Sequence, residues 1–339
     1  MLDPNPSSFP ELNHLNDLLD LTWGAEVNEI MDSQLLSPLR DFLKRPGKKI
    51  RGKMVEIGFE LASGKDVSKR TPFENQTLER ASELLEFLHS ASLIIDDIQD
   101  NSEERRGEPT VHRKYGMPLA LNAGNWLYFW PLQNVETWGV SDSVRLNVYR
   151  ICHRGLLRAH FGQALDVGLN IFETPQNKMK ATCLASLELK SGALMAMALA
   201  LGVVLGEGTQ DLELKCQKFG HAFGIALQMF DDSGNASIAG PKQFEDLKLK
   251  RPSWLVATAA ESLSLQEFGE FADAVGELPQ TMRIQKVLEK YALIEKARNE
   301  AKQYLSHALG ILDEDCFQNR EKPVQRIYEL ADLLVRAYV

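Results

Sequence analysis

Two groups of aspartates follow apolar stretches of this sequence, and their spacing suits metal binding. Asp96 and Asp100 are four residues apart in LIIDDIQDNSEERRG, so a helix would place both carboxylates on one face, with Asp97 about 100° round it as support. Hard oxygen ligands at this spacing suit Mg²⁺ bound to a diphosphate. A solvated acidic helix end is the alternative, but carboxylates that follow a buried helix need compensation by cations.

A second acidic pair lies far downstream in GIALQMFDDSGN. Asp231 and Asp232 again follow an apolar run, and Asn235 stands four residues after Asp231. Two such helix ends, facing each other across a cavity, would hold metal ions around one diphosphate. The metal ions would neutralise the negative charge that develops on the leaving group as its bond to carbon breaks.

A short basic cluster, PGKKIRG, follows a Pro-Gly turn and precedes an apolar helix. Its cations Lys48, Lys49 and Arg51 could bind a diphosphate without metal, because Lys supplies a point charge and Arg a bidentate fork. His89, upstream of the first aspartates, could donate a hydrogen bond to the same anion. A solvated turn and a packed core histidine are the alternatives for these residues.

Helices must position these side chains, because apolar residues recur at three- and four-residue spacing and the alternation typical of strands is scarce. Breaks rich in Gly and Pro, the last of them from Ser233 to Pro252, separate about ten helices. We find no long linker and no internal repeat in the 339 residues, which favours a single domain over 1–339 with a loose N-terminus at 1–12. The predicted fold class is therefore all-α, with about ten or more helices.

The bulk composition narrows the functional classes. A net charge of −9 argues against a general nucleic-acid binder, and 44% hydrophobic residues indicate a folded globular chain. The four cysteines form no CxxC pair, so we expect reduced thiols in a cytoplasmic protein. The N-terminus shows no secretory pattern. The longest uncharged run, Ser191 to Gly206, is too short for a membrane span and is predicted to be a buried helix.

Eight motifs follow one another between about Leu36 and Leu255. These motifs are PGKKIR, LHSASLIIDDIQDNSEERRGEPTVH, NAGNWLYF, HFGQALD, KSGAL, QMFDDSGN, EDL and RPS. In this order they resemble the motifs of the trans-type isoprenyl (polyprenyl) diphosphate synthases, most closely the eukaryotic-type geranylgeranyl diphosphate synthases. The resemblance implies an isoprenoid-synthase helical bundle around a central cavity, and a homodimeric prenyltransferase that joins an allylic diphosphate to isopentenyl diphosphate.

The resemblance also implies a role for each candidate site residue. Three Mg²⁺ ions around the allylic diphosphate would be held by Asp96, Asp97, Asp100, Asp231 and Asp232. Cationic contacts to that diphosphate would come from Arg105, Lys190, Lys242 and Arg251. Isopentenyl diphosphate would be held by Lys48, Arg51, His89 and Arg106. Ser191 and Gln228 would place dipoles beside the allylic cation, whose counterion is the departing diphosphate.

The sequence departs from the common family pattern in the loop after the second aspartate pair. Asn235 replaces the third aspartate of many relatives, which is usual in the eukaryotic geranylgeranyl type. Arg251 stands at the family's lysine position, which keeps the charge and changes the donor geometry. The loop from Asn235 to Asp246 is also shorter than in most relatives.

Product length should depend on the side chains that line the elongation tunnel. Ala91 and Ser92 are small, unlike the aromatic residues that close the tunnel near its top in farnesyl-type relatives. Lower down, Tyr128, Phe129 and His160 match the bulky residues that close it in the geranylgeranyl type. These residues predict a twenty-carbon product. The alternative is that the aromatics near Tyr128 are core residues.

Two other functions are compatible with parts of this pattern. A class I terpene cyclase also ionises a diphosphate on a helical fold, but it uses one substrate and has no need for the PGKKIR cluster or the Arg105-Arg106 pair. A catalytically silent synthase subunit is the other alternative. Retention of both aspartate pairs argues against it.

Overall fold

The computed structural model describes residues 9–47, 49–237 and 243–338. In these residues the chain forms seventeen α-helices and one two-stranded hairpin, which confirms the predicted all-α class. The helices are α1 Leu12–Leu18, α2 Ala25–Met31, α3 Ser37–Leu43, α4 Ile50–Ser63, α5 Pro72–Gln99, α6 Val111–Tyr115, α7 Met117–Asn134, α8 Asp142–Gly168, α9 Gln176–Leu187, α10 Ala193–Leu205, α11 Gln210–Ser237, α12 Glu245–Lys248, α13 Trp254–Ser262, α14 Leu265–Gly276, α15 Thr281–Lys290, α16 Leu293–Gly310 and α17 Glu321–Tyr338. The hairpin strands are β1 Glu104–Arg105 and β2 Glu108–Pro109.

The chain divides into two compact units. The first comprises residues 1–53 and 70–145, and the second comprises residues 54–69 and 146–339. The first unit contains the end of α5 with its aspartates, and the second contains the end of α11 with the second acidic pair. The single-domain organisation stays a prediction.

Helix α5 carries the first aspartates because its sequence encodes both a start and a buried face. Thr71 and Glu74 form a reciprocal capping box at its N-terminus, where each side chain accepts a hydrogen bond from the other residue's backbone. A stripe of buried residues then runs along the helix at three- and four-residue spacing. Helix α7 packs closely on this helix, since a Cβ atom on Gly124 would lie 2.8 Å from the side chain of Ile95.

Helix α10 is buried on all sides within the second unit. Glycines let its neighbours approach: a Cβ atom on Gly58 of α4 would lie 2.3 Å from the Leu199 carbonyl oxygen, and one on Gly220 of α11 would lie 2.6 Å from the Ala196 backbone. A π-helical turn, Glu188–Gly192, joins α9 to α10, giving one helix over Gln176–Leu205. That helix is long and apolar enough to span a membrane, but 72% of its most apolar stretch is buried inside the protein, which confirms the predicted core helix.

Helix α11 extends further than the sequence predicted. A break was expected from Ser233, yet the helix continues to Ser237. The hydroxyl of Ser233 donates to the Met229 carbonyl oxygen at 2.7 Å, and that of Ser237 donates to the carbonyls of Ser233 and Gly234. These serines therefore bond to the preceding helical turn, and the helix is not interrupted.

Candidate active site

The three aspartates at the end of α5 lie in different environments. Asp97 lies on the buried face of the helix, with 1% of its surface exposed, whereas Asp96 and Asp100 are half-buried. Asp100 caps the helix, and its backbone N–H donates to the Asp96 carbonyl oxygen at 2.9 Å. The two carboxylates predicted to share one face are thus the two that remain accessible to a ligand.

Asp97 forms an ion pair with Arg105, which the sequence had placed on the allylic diphosphate. Both Nε and Nη2 of Arg105 donate to Oδ1 of Asp97, at 2.8 and 2.5 Å. The arginine side chain is 18% exposed and the aspartate side chain 1% exposed, so the pair is largely removed from water. This pair fixes the position of the hairpin relative to the end of α5.

Arg106, which follows Arg105 in the sequence, lies in the turn of the hairpin. Arg106 and Gly107 both have positive φ, 59° and 80°, as a tight two-residue hairpin turn requires. The Arg106 guanidinium donates to the Arg45 carbonyl oxygen at 3.3 Å and lies where a Cβ atom on Gly47 would be only 3.2 Å away. Gly47 of the predicted PGKKIR cluster therefore leaves room for Arg106.

Arg45 is a residue that sequence reasoning missed. Its side chain is buried, donates from Nη1 to the Arg105 carbonyl oxygen at 3.2 Å, and forms an ion pair with Asp41. It thus links α3 to the hairpin across sixty residues. Its position directly before Pro46-Gly47 was the only sequence signal, and Lys48 of the same cluster lies outside the described residues.

His89 lies among the cations of the first unit. Burial and the positive charges of Arg51, Arg106 and Arg105 hold the pKa of its imidazole well below the usual value, so the ring is neutral at pH 7. Burial likewise lowers the pKa of Arg106, although the nearby Glu86 carboxylate opposes this effect. The structure therefore brings together the arginines and the histidine that the sequence had assigned to one anion.

The predicted chain-length residues of the first unit differ in exposure. Ala91 is fully buried, and the half-buried Ser92 donates its hydroxyl proton to the His89 carbonyl oxygen at 2.8 Å. Tyr128 is half-buried, and burial, followed by the Asp96 charge, raises the pKa of its phenol. Phe129 points the other way and is 70% exposed, so within this chain it does not contribute to a buried floor.

In the second unit, Lys190 forms an ion pair with the aspartate of the HFGQALD motif. The Lys190 Nζ lies 2.6 Å from Asp166 Oδ2. Helix α8 can approach the π-helical turn because a Cβ atom on Gly162 would lie 2.8 Å from the Lys190 side chain. The motifs HFGQALD and KSGAL therefore meet through this ion pair.

A chain of hydrogen bonds links the π-helical turn to the second acidic pair. Ser191 Oγ donates to Gln228 Oε1 at 2.7 Å, and Gln228 Nε2 donates to Asp232 Oδ1 at 2.9 Å. The backbone N–H of Trp254 donates to the other oxygen, Asp232 Oδ2, at 2.7 Å. The structure thus links three of the predicted residues, Ser191 on the π-helical turn with Gln228 and Asp232 on α11.

The donors to Asp232 are all neutral, and this has an electrostatic consequence. Burial raises the pKa of Asp232 to about 7, while the bonds from Gln228 and Trp254 act in the opposite direction and the charges of Asp231 and Asp166 raise it further. Asp246, in the EDL motif, has a pKa raised first by burial and then by the negative charges of Asp232 and Asp166. Asp232 and Asp246 are therefore harder to ionise than solvated aspartates, because the described residues around them add negative charge and little positive charge.

The other predicted residues of the second unit that the structure describes make separate contacts. Arg251 is buried and donates from Nη1 to the Asp166 carbonyl oxygen at 2.6 Å, so it packs beside the Asp166-Lys190 pair. His160 is exposed on α8, where its Nδ1 lies 2.8 Å from the Leu156 carbonyl oxygen. Asn235 donates to Asp231 Oδ2 at 3.4 Å. Lys242 lies outside the described residues.

The donor chemistry of the second unit fits a hard divalent cation. Among residues 9–47, 49–237 and 243–338, no three His, Cys, Asp or Glu side chains are close enough to hold an ion as they stand. The charge of Asp231 nevertheless raises the pKa of both Asp232 and Asp246, and carboxylate oxygens suit Mg²⁺. A bound cation would compensate their charge.

Known proteins share both the sequence pattern and the fold. A model of the family described as polyprenyl synthetase matches residues 32–291. The chain is 31% identical to a geranylgeranyl pyrophosphate synthase of Zymoseptoria tritici over 76% of this chain and 72% of that protein. It is 26% identical to a geranylfarnesyl diphosphate synthase of Aeropyrum pernix over 84% and 90% of the two chains.

A solved structure gives the same result for the fold. The crystal structure of a geranylgeranyl pyrophosphate synthase from Corynebacterium glutamicum, complexed with isoprenyl diphosphate and magnesium, superposes with a TM-score of 0.78 at 23% identity. The match covers 99% of each chain.

Proposed function

Because the chain belongs to the polyprenyl synthetase family, we propose that it is a trans-isoprenyl diphosphate synthase that joins an allylic diphosphate to isopentenyl diphosphate. The observation that best supports this reaction is the undercompensated carboxylate group of Asp231, Asp232 and Asp246, beside the fixed dipoles of Ser191 and Gln228. A cation and a developing positive charge on carbon are the species that such surroundings stabilise.

Magnesium is the group that these donors fit. We assign its binding to Asp96, Asp97 and Asp100 on α5 and to Asp231 and Asp232 on α11, with three ions in total. When bound, Mg²⁺ neutralises the charge on a leaving diphosphate. Because Asp97 is already paired with Arg105, its part is to hold that arginine in place, and Asp96 and Asp100 are the more accessible ligands.

The cations of the first unit are suited to bind a diphosphate directly. Arg51, Arg106 and His89 lie close enough together for the two arginines to lower the pKa of the imidazole. We assign isopentenyl diphosphate to these residues and to Lys48. A bound diphosphate would offset the mutual repulsion of these groups, and His89 could donate a hydrogen bond to it.

Side chains of the second unit would stabilise the allylic partner. Lys190, held by Asp166, supplies a positive charge near the end of α8, and we assign it, with Arg105, Lys242 and Arg251, to the allylic diphosphate. Gln228 accepts from Ser191 and donates to Asp232, so its amide cannot rotate without breaking two hydrogen bonds. Its dipole is therefore already oriented before a cation develops.

We further propose a twenty-carbon product, a homodimer and a cytoplasmic location. Small residues at Ala91 and Ser92 would leave room for elongation, and we assign the limit on product length to the half-buried Tyr128. Leu157 and Phe161 are 51% and 69% exposed on one side of α8 and offer an apolar surface to a second copy. Replacing both with Glu should give a monomer by analytical ultracentrifugation, and an unchanged dimer would contradict the assignment of this surface to the dimer contact.

The proposed cytoplasmic location rests on the cysteines, because free, largely buried thiols suit a reducing compartment.

The test is incubation of the purified chain with Mg²⁺, isopentenyl diphosphate and each of dimethylallyl, geranyl and farnesyl diphosphate, followed by sizing of the products. A twenty-carbon product supports the reaction and the limit on length. A product of another length keeps the reaction and overturns the role of Tyr128. Absence of condensation with every primer contradicts the proposed function.

A further inference from the structure

A cleft in the second unit is lined by three arginines on one face of α8. Arg150, Arg154 and Arg158 recur at four-residue spacing, which stacks them along the helix. The opposite wall is α11, with Glu213, Gln217 and His221 at the same spacing, and α10 lines the cleft with small and apolar residues. None of these residues belongs to the candidate active site.

The cleft is cationic although the chain as a whole is acidic. Three arginines and one glutamate line it, in a protein of net charge −9. Arg150 forms an ion pair with Glu213 at 3.1 Å, and Arg158 forms one with Glu188 at 2.6 Å. Stacked like charges on a helix face repel, so an uncompensated arginine between two others favours an anion.

Arg154 is the member of this row without a carboxylate partner in the described ranges, and its side chain is exposed to solvent. It makes no hydrogen bond or ion pair with any residue in the part of the chain that the structure describes. Its two neighbours each use only Nη2 for their carboxylates, which leaves further N–H donors on both guanidinium groups. The middle of the row is therefore rich in donors that no acceptor within the described residues engages.

His221 faces this row from α11 and adds a neutral donor. Its Nδ1 is buried without a hydrogen-bond partner among the described residues and packs near Gly192. A buried N–H without an acceptor is costly, so the ring proton belongs on Nε2. Burial and the nearby Arg158 charge lower the pKa of the imidazole, which keeps the ring neutral.

The size of the cleft limits the ligand. Its volume is about 50 Å³. One water molecule needs on the order of 10–15 Å³ of such a cavity, so the cleft holds about four oxygen-sized groups. This is the size of one phosphate group.

We propose that this cleft binds one phosphate group, either as free inorganic phosphate or as the head of a small phosphate monoester, through Arg154, its two flanking arginines and His221. The arginine forks match the oxygens of a phosphate, and the imidazole contributes one more hydrogen bond. The site is separate from the second acidic pair, because His221 and Asp231 lie ten residues apart on α11, or about 15 Å along the helix.

The test is titration calorimetry with sodium phosphate and, separately, glycerol phosphate, at constant ionic strength and with EDTA present to remove divalent cations. Arg106→Gln serves as the background, because Arg106 belongs to the other anion site. In that background, Arg154→Gln should weaken phosphate binding about tenfold or more, since it removes a charge-assisted bidentate contact. Arg336→Gln, a change of an exposed helical arginine outside the cleft, should leave binding unchanged.

A second measurement localises the site. Phosphate should shift the imidazole resonances of His221, assigned with His221→Asn, in the Arg106→Gln protein and not after the further change Arg154→Gln. Equal phosphate affinity with and without Arg154, or phosphate-induced shifts at other histidines only, would overturn the proposal. Stronger binding of glycerol phosphate would identify the monoester as the ligand, and stronger binding of phosphate would identify the free ion.

Discussion

Two aspartates, Asp97 and Asp232, are both nearly inaccessible to water near the ends of 28-residue helices, yet they are held by different chemistry. Asp97 accepts two hydrogen bonds from one guanidinium group, that of Arg105. Asp232 accepts one from the Gln228 amide and one from the Trp254 backbone. The first charge is compensated by a permanent cation, and within the part of the chain that the structure describes the second is met by neutral dipoles.

This difference separates the tasks of two similar Asp-Asp motifs. An arginine cannot become an acceptor, so the Asp97-Arg105 pair has one possible arrangement. The chain from Ser191 through Gln228 to Asp232 is fixed while Asp232 is an ionised carboxylate, which only accepts. It can reverse once position 232 can donate, because an amide can turn round and a hydroxyl can either donate or accept. The first unit therefore uses its buried aspartate to fix a basic hairpin, whereas the second keeps negative charge for a cation.

The largest effect should come from removing an accessible carboxylate of either unit. Asp96→Ala and Asp231→Ala should each lower turnover about 1000-fold or more, because the charge of a leaving diphosphate would lose part of its stabilisation. Initial rates of product formation measure the loss, and circular dichroism should show an unchanged helical content. Asp332→Ala, at an exposed position on α17, is the matched control and should keep full activity. Near-normal turnover in either site variant would contradict the assigned metal roles.

The next effect is on stability and concerns the first unit. Asp97→Asn should lower the free energy of unfolding by about 3 kcal/mol or more, because Arg105 would be left largely buried without its carboxylate. Urea unfolding followed by circular dichroism measures the change. A loss below about 1 kcal/mol would show that the hairpin relaxes and that the pair does not fix it.

The matched change in the second unit should be mild. Asp232→Asn should cost less than about 1 kcal/mol in the same urea experiment without metal, because Gln228 can turn its amide and keep all the hydrogen bonds. If Asp232→Asn destabilised the chain as much as Asp97→Asn, the contrast between a fixed and a reversible arrangement would be wrong.

The last effect depends on pH and concerns the arginines that surround His89. The folded-state pKa of this imidazole is depressed, so its contribution to stability is present above the unfolded pKa of 6.5 and is lost as the pH falls below it. Between pH 7 and pH 5 the loss is at most about 2 kcal/mol.

The comparison of His89→Gln with the wild type isolates this contribution. The variant should lose less unfolding free energy between pH 7 and pH 5 than the wild type, in urea titrations at both values. His153→Gln, at an exposed position on α8, should follow the wild type. Parallel behaviour of His89→Gln and the wild type would show that the imidazole is not held neutral by its surroundings.

The sequence allowed the helical class and the position of the acidic helix ends to be predicted, because both depend on local periodicity. It could not reveal that Arg105 binds Asp97 or that Arg45 supports the hairpin, since these contacts depend on how the chain folds back on itself. Phe129 shows a further limit. Its match to a bulky residue of the geranylgeranyl type suggested a tunnel floor, but the helical phase of α7 turns its ring outward, to 70% exposure.

The same limit applies to the second unit. The motif order placed Ser191 and Gln228 near the acidic pair. In the structure Ser191 donates to Gln228, and Gln228 donates to Asp232. The ion pair of Lys190 with Asp166 and the buried position of Arg251 were not predictable, because each needs two helices or a loop to meet. The cationic cleft at Arg154 gave no motif at all.

The most direct test of prenyl transfer is to supply isopentenyl diphosphate labelled with ¹⁴C and to measure the label in an apolar product after removal of the diphosphate. The account predicts incorporation that requires both an allylic diphosphate and Mg²⁺ and that is lost in Asp231→Ala. Apolar product formed from the allylic diphosphate alone, without label, would contradict prenyl transfer and identify a cyclase. No incorporation under any condition would identify a catalytically silent subunit.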